Sequence, residues 1–331
     1  MTEVVTIGEC LIAFVATSRG PLAEATTFDR FVAGAEANVA VGLARLGHSV
    51  SFIGRVGADG FGDAIRRRLL GEGVRAVDLL TDEAATTGLM FRERRVVGPA
   101  QVVYARRDSA GSRVKAADVD RAAADGAFDG TRWLHLTGIT PALSGDARAA
   151  VERSIDHARD AGATVSLDLN LRRRLWSDEE AAPVLAALSA RVDVVLGSPD
   201  ELAVVSGRGP TEDPVALAAA ALELGPAIVV AKLGAKGAIA LERDDPTTPS
   251  VRPAIPLPVV IDPVGAGDAF CAGFIAARLD GTDIATALDI GNACGAAAAA
   301  ALGDQTGLPD RAELAAILRA ATEDGSPDTI R

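Results

Sequence analysis

Lysine is almost missing from this chain. Only Lys115, Lys232 and Lys236 occur among 33 basic residues, against 45 acidic ones, and the formal net charge is −12. A chain this acidic is a poor ligand for nucleic acid or an anionic membrane, although a local group of arginines still suits a small anionic substrate. Cysteine is scarce too. Cys10, Cys271 and Cys294 are odd in number and far apart. That excludes a disulfide framework and a Cys-x-x-Cys metal site, and suggests reduced thiols in a cytoplasmic protein. The three histidines, His48, His135 and His157, have no zinc-ligand spacing. No apolar run is long enough to span a bilayer; the richest late stretch, Ala293–Leu302, is too short. The opening stretch carries Glu3 and no basic region, so it reads as a first buried strand rather than a signal peptide.

Several nucleotide and hydrolase motifs are absent as well. There is no Gly-Lys dipeptide, hence no Walker A loop, no Gly-x-Gly-x-x-Gly after the first strand, and no Gly-x-Ser-x-Gly elbow.

What is present is a packed α/β chain. Hydrophobic residues make up 49% and charged residues 24% of 331 positions, which excludes a disordered protein. That length allows about two domains, or one large α/β domain with an insertion. Short β-rich runs (Val4–Gly8, Ser51–Val56, Trp133–Leu136, Thr164–Asp168, Val192–Leu196, Ala227–Ala231) alternate with helical patterns that stop at Gly47, Gly71, Gly162 and Gly225. This predicts a mostly parallel central sheet with helices on both faces, built as one domain over residues 1–331. Residues 11–33 and 87–109 contain strand-like pieces without a crossover helix, and these predict a small antiparallel sheet outside the main one. From Asp268 the chain reads as helical, near Asp268–Leu279, Ile284–Leu302 and Asp310–Ala321. Residues 244–258, with five prolines, read as a loop or edge segment, and the polar last ten residues as a frayed end.

The most informative string is Asp262-Pro263-Val264-Gly265-Ala266-Gly267-Asp268, between a strand-like run, Pro258–Ile261, and a helix. Glycines at a helix start leave N–H groups free to bind an anion. A carboxylate beside such a site repels a phosphate, so Asp268 makes better sense as a proton acceptor for an attacking hydroxyl. The plainer alternative is an N-cap aspartate after a glycine turn.

Asp262–Asp268 resembles the second signature of the PfkB (ribokinase-like) carbohydrate kinases. Ala33-Gly34-Ala35-Glu36-Ala37-Asn38-Val39-Ala40 resembles the first, followed by Gly54–Asp59 and Phe61-Gly62. The resemblance spans the chain in the right order. It implies a ribokinase-like fold whose small β sheet is a lid over the sugar, with lids of two subunits paired in a homodimer. It further implies ATP and Mg²⁺, catalysis by Asp268 as base, and an anion hole from the N–H groups of Gly265, Ala266 and Gly267. Lys232, Gly234 and Gly237 resemble the nucleotide-side turn, and Asn292 lies where family helices pass the adenine, with helix packing as the plainer role. Ser198 to Glu201 stands where the family has Asn-x-x-Glu. Glu201 matches as a water-mediated Mg²⁺ residue or a simple helix-start acid; Ser198, a nucleotide-side position, departs. Asp262 resembles part of a loop that binds a monovalent cation such as K⁺.

Two further runs bear on the substrate. Tyr104-Ala105-Arg106-Arg107-Asp108-Ser109-Ala110 resembles the Tyr-x-Arg-x-x-Ser-Ala stretch of 2-keto-3-deoxygluconate kinases. Asp168-Leu169-Asn170-Leu171-Arg172 to Trp176 resembles a run of that subgroup and of some fructokinases. An arginine grips a carboxylate through two parallel hydrogen bonds, so Arg106 and Arg172 are candidates for a keto-sugar acid, with surface ion pairing as the plainer role. Gly34 and Asn38 would touch sugar hydroxyls. Met90 replaces a common tyrosine and would exchange a sugar contact for packing. A fructokinase is the nearest rival, a nucleoside kinase and a non-catalytic sugar-binding protein more distant ones.

Overall fold

The computed structural model describes residues 2–95, 100–209 and 213–323. Its strands, in chain order, are β1 (Val4–Ile7), β2 (Leu11–Arg19), β3 (Phe28–Ala33), β4 (Val50–Gly57), β5 (Leu79–Asp82), β6 (Leu89–Arg94), β7 (Val102–Ala105), β8 (Trp133–Thr137), β9 (Thr164–Asp168), β10 (Val194–Gly197), β11 (Ile228–Lys232), β12 (Ala238–Glu242) and β13 (Asp245–Arg252). Nine of them form one sheet in the order β13-β12-β11-β10-β9-β8-β1-β4-β5. Neighbours from β5 to β11 are parallel; β12 pairs antiparallel with both β11 and β13.

Side chains alternate across this sheet, as the pleat requires. Val4 packs on one face with the helices Ala35–Arg45, Ala266–Leu279 and Ile284–Ala299. Val5 packs on the other, with Gly145–Asp160, Asp178–Ser189 and Pro214–Leu222. Helix starts are set locally by short oxygen-bearing side chains. Asp59 accepts from the N–H groups of Phe61 and Gly62 at 3.0 and 2.8 Å, and Asp283 accepts from Thr286.

The expected second sheet is present, in the order β3-β2-β6-β7. It is not wholly antiparallel as expected: β2 and β6 run parallel, because 69 residues including β4 and the helix Gly60–Gly71 separate them. One other expectation is corrected. Pro258–Ile261 is not a strand. The N–H groups of Ile261 and Asp262 cap the helix Ile284–Ala299 at the Ala299 carbonyl instead, and Val259, Val260 and Ile261 stay more than half exposed. The proline-rich stretch after Asp244 is an edge strand, β13, followed by loop. Of the polar tail expected to fray, Thr322 and Glu323 end the helix Arg311–Glu323 and 324–331 lie outside the described residues. No helix among the described residues is long and apolar enough to cross a membrane.

The helix Ala266–Leu279 is largely buried. Phe274 is fully buried and stacks on Phe270, with ring centroids 6.4 Å apart. We expect Phe274→Ala to lower unfolding stability by about 3–5 kcal/mol in urea denaturation, as for other buried Phe→Ala changes.

Candidate active site

The carboxyl ends of adjacent parallel strands, where such sheets bind ligands, carry Glu9 after β1, Asp168 in β9, Ser198 after β10 and Lys232 in β11. Above them lies a polar cavity of about 470 Å³. Gly34, Asn38, Met90, Tyr104, Arg106, Arg172, Ser198, Glu201, Lys232, Gly265, Gly267 and Asp268 all line it, so most residues singled out from the sequence converge here. A second cavity of about 380 Å³ is apolar, with Ile255, Leu257, Val260, Phe270 and Ala296 in its wall. Gly234, Gly237, Ala266 and Asn292 line this one. The two cavities share Lys232, Pro263 and Gly267.

That seam is a helix start. Gly265 caps the helix Ala266–Leu279 with φ of 82°, and a Cβ there would lie 2.8 Å from the Asp304 carbonyl, so only glycine fits. The Ala266 N–H leans back on the Pro263 carbonyl at 3.3 Å, while those of Gly265 and Gly267 have no backbone partner among the described residues. Lys232 Nζ sits 3.5 Å from where a Gly267 Cβ would be, and donates to Asp168 Oδ2 at 2.6 Å. Burial disfavours the ammonium, but Asp168 alongside outweighs it and raises the lysine pKa.

Asp268 does not cap the helix. It is buried and held by side chains: Asn38 Nδ2 donates to Oδ2 at 2.8 Å, and Asn170 Nδ2 to Oδ1 at 3.3 Å. Burial pushes its pKa up to about 7, against the lowering effect of the Asn38 hydrogen bond, with the Asp168 charge adding to the rise. A carboxylate tuned to that range is suited to accepting a proton near neutrality.

The arginines divide. Arg106 NH2 pairs with buried Glu9 Oε2 at 2.5 Å, its guanidinium lies 5.3 Å from the Tyr104 ring centre, and its Nε is buried without a partner. In the run Arg172–Arg174, Arg173 pairs with Asp178 and Asp200, and Arg174 donates to the Val102 carbonyl. The Arg172 side chain makes no close ion pair or hydrogen bond among the described residues; it lines the polar cavity, where its charge favours the ionised forms of Asp268 and Asp304. Met90 sits opposite Tyr104 across β6 and β7 and packs with Leu11, Ala13 and Ala33. Glu201 is spent locally: Oε1 accepts from Leu171 N–H and Oε2 from Ser198 N–H, each at 2.8 Å, while burial raises its pKa. Asn292 Nδ2 donates to the Pro253 carbonyl at 3.0 Å, which fixes the wall of the apolar cavity. Asp262 is corrected. Its two oxygens receive four hydrogen bonds, from Arg92 NH1 and NH2, Val264 N–H and Gly303 N–H, so the carboxylate is not open to a monovalent cation.

Reasoning from the sequence missed Glu9, Arg92, Asp168, Asn170 and Asp304. Asp304 is buried on the cavity wall with Oδ1 unpartnered, and burial pushes its pKa up to about 6. Asp168 and Asn170 belong to the run that drew attention to Arg172; the others carry no local signal.

The two cavities meet at the helix start with its free N–H groups. The family model for pfkB family carbohydrate kinases matches residues 1–311, and the chain belongs to that family. It is 35% identical over 320 residues to the 2-dehydro-3-deoxygluconokinase of Bacillus subtilis (strain 168), covering 96% of each chain. It is 37% identical over 324 residues to that of Thermoproteus tenax, covering 97% of this chain and 95% of the relative. The fructokinase of Escherichia coli is 34% identical over 291 residues, 85% of this chain and 90% of its own. Among solved structures, the E. coli protein designated ribokinase II, in complex with ATP and Mg²⁺, superimposes with a TM-score of 0.87 at 26% identity, covering 97% of this chain and 100% of that one. A fructokinase double mutant from Vibrio cholerae O395, in its fructose, ADP and potassium ion bound form, gives 0.80 at 28%, covering 96% and 98%. The chain is thus a carbohydrate kinase with the ribokinase-like fold.

Because Asp268 must be ionised to take a proton, kcat/KM should fall as pH drops through about 7. Asn38→Ala removes the bond that favours the ionised form, so that limb should move to higher pH by about one unit. Asp268→Asn should lower kcat by about 10²–10⁴. Initial-rate pH profiles check all three.

Proposed function

We propose that this kinase transfers the γ-phosphoryl group of ATP to a primary hydroxyl of a keto-sugar acid, 2-keto-3-deoxygluconate (2-dehydro-3-deoxygluconate), giving its 6-phosphate. The observation that carries this reading is the seam at Gly267, where a buried carboxylate, a helix start and a lysine meet between a polar and an apolar cavity. The sugar hydroxyl lies against Asp268, which takes its proton as the new O–P bond forms and the bond to ADP breaks. Gly265, Ala266 and Gly267 N–H groups and the Lys232 ammonium face the charge on the transferring group, and each such donor contributes about 3 kcal/mol in the transition state.

Mg²⁺ suits this site as an ion carried on the nucleotide's phosphates. Asp168 Oδ1 is buried without a partner beside Glu201, and no group of three ligating side chains among the described residues could hold the metal alone. When bound, the ion neutralises phosphate charge; Asp168 and Glu201 would orient its water shell.

Arg172, a cavity cation whose side chain makes no close ion pair among the described residues, supports an acidic sugar, as do the two 2-dehydro-3-deoxygluconokinase relatives. One observation favours fructose instead: Glu9 already neutralises Arg106. We also read the sheet β3-β2-β6-β7 as a lid that excludes water from the reaction, and take the protein as a cytoplasmic homodimer paired through it. Sedimentation at about twice the chain mass checks the dimer.

ADP release with Mg·ATP should be strong with 2-keto-3-deoxygluconate or its galactonate epimer and weak with fructose, ribose, adenosine or no sugar. Fructose turnover instead would overturn the substrate and keep the chemistry. Arg172→Ala should raise KM for the keto acid about 10–100-fold with kcat within a few-fold, since a hydrogen bond to a charged group contributes about 1.5–3 kcal/mol.

A further inference from the structure

The pair Arg92–Asp262 joins two parts of the molecule that no other buried ion pair among the described residues connects. Arg92 comes from β6, in the second sheet; Asp262 opens the loop that leads through Val264 to Gly265. NH1 donates to Oδ1 at 2.8 Å and NH2 to Oδ2 at 2.5 Å, and both residues are 5% exposed. The same carboxylate accepts from Val264 N–H and Gly303 N–H, each at 3.2 Å. It therefore ties β6 to the helix start and to the loop that follows the helix Ile284–Ala299. The sheet touches that loop a second time: a Cβ on Gly303 would lie 2.5 Å from the Phe31 ring of β3. Next to Gly303, the Asp304 carbonyl packs against Gly265 and leaves no room for a Cβ there.

A buried carboxylate stripped of water needs a compensating charge. The V. cholerae fructokinase structure carries a potassium ion. Here the guanidinium already occupies the Asp262 oxygens in a bidentate arrangement. We propose that Arg92 is a positioning residue for phosphoryl transfer: delivered by β6, it is the fixed counter-cation of Asp262 that sets the anion-binding loop, in place of a free monovalent ion. The proposal rests on the reading that Gly265–Gly267 hold the transferring group. It makes the loop's shape conditional on where β6 sits, so that the donors are aligned when the second sheet is docked and not otherwise.

The first test needs no substrate. The melting temperature of the whole protein is compared in KCl, NaCl and choline chloride at equal ionic strength, which separates specific binding from screening. Equal values within about 1 °C are expected; a rise of several degrees specific to K⁺ overturns the proposal. The second uses the sugar that turns over. Wild-type kcat should agree within about twofold in the three salts. Arg92→Met should lower kcat about tenfold or more with KM for ATP nearly unchanged, because a misplaced donor acts on the transition state rather than on binding. That variant should regain part of its rate in K⁺ but not in choline. Arg92→Lys, which keeps the charge but not the fork, should fall between the two and decides the matter if Arg92→Met does not fold. A folded Arg92→Met with wild-type kcat overturns the positioning role. Failure of every sugar to turn over counts against the reading in the previous subsection and leaves the melting experiment to judge this one.

Discussion

A helix start with free N–H groups, and a buried carboxylate on its first turn, place opposite demands on one electric field. The rest of the site follows from that conflict. Asp268 at this position gains from the helix dipole, loses from burial, and is repelled by Asp168; the balance leaves it near the pH at which a base works. Asn38 and Asn170 are neutral donors, so they hold the carboxylate in place without cancelling its charge. Gln305 in turn donates to Asn38 Oδ1 at 3.1 Å, which fixes which way the Asn38 amide faces. A lysine or arginine in Asn38's place would hold Asp268 more tightly and make it a weaker base.

The same economy governs the cations. In a chain of net charge −12, four cations line the polar cavity, and they are held differently: Arg92 is locked to Asp262. Lys232 is tethered to Asp168 beside the helix start. Arg106 is neutralised by Glu9 and pinned against Tyr104. Arg172 faces the cavity unpaired. Charge attraction toward an acidic ligand therefore comes chiefly from Arg172, while the paired residues supply fixed geometry.

Where hydrophobic period and glycine stops coincide, the sequence is legible: six parallel strands and seven helices were visible within a few residues of where they lie. Two helices that escaped notice, Asp178–Ser189 and Pro199–Val205, were signalled at their starts by a side chain reaching back to the backbone. Ser177-Asp178-Glu179-Glu180 is a capping box, with Glu180 reaching back to Ser177 N–H at 2.8 Å, and Ser198 with Glu201 repeats the pattern. Pro258–Ile261 misled because its apolar residues suit a strand, yet the sheet has already ended at β13 on that side and the segment caps a helix instead. The site was legible where contiguous residues carry it, as in Gly265–Asp268. Glu9, Arg92 and Asp304 were hidden because their roles depend on partners 97, 170 and 39 or more positions away, a relation only the tertiary fold creates.

Attraction and discrimination need not reside in the same arginine. Arg172 is exposed to solvent, so a neutral sugar that fails to use it leaves the guanidinium hydrated, at little cost. Arg106 differs. Its Nε is buried with no partner, and a ligand that fills the cavity without offering an acceptor there strands a charged donor away from water. An unsatisfied buried group costs about 1–3 kcal/mol, a factor of roughly 10–100 between ligands. The acceptor that meets Nε must also approach Glu9, whose charge repels a carboxylate but not a hydroxyl or carbonyl. This corner thus favours a hydroxyl or carbonyl over a carboxylate, while the opposite preference belongs to Arg172.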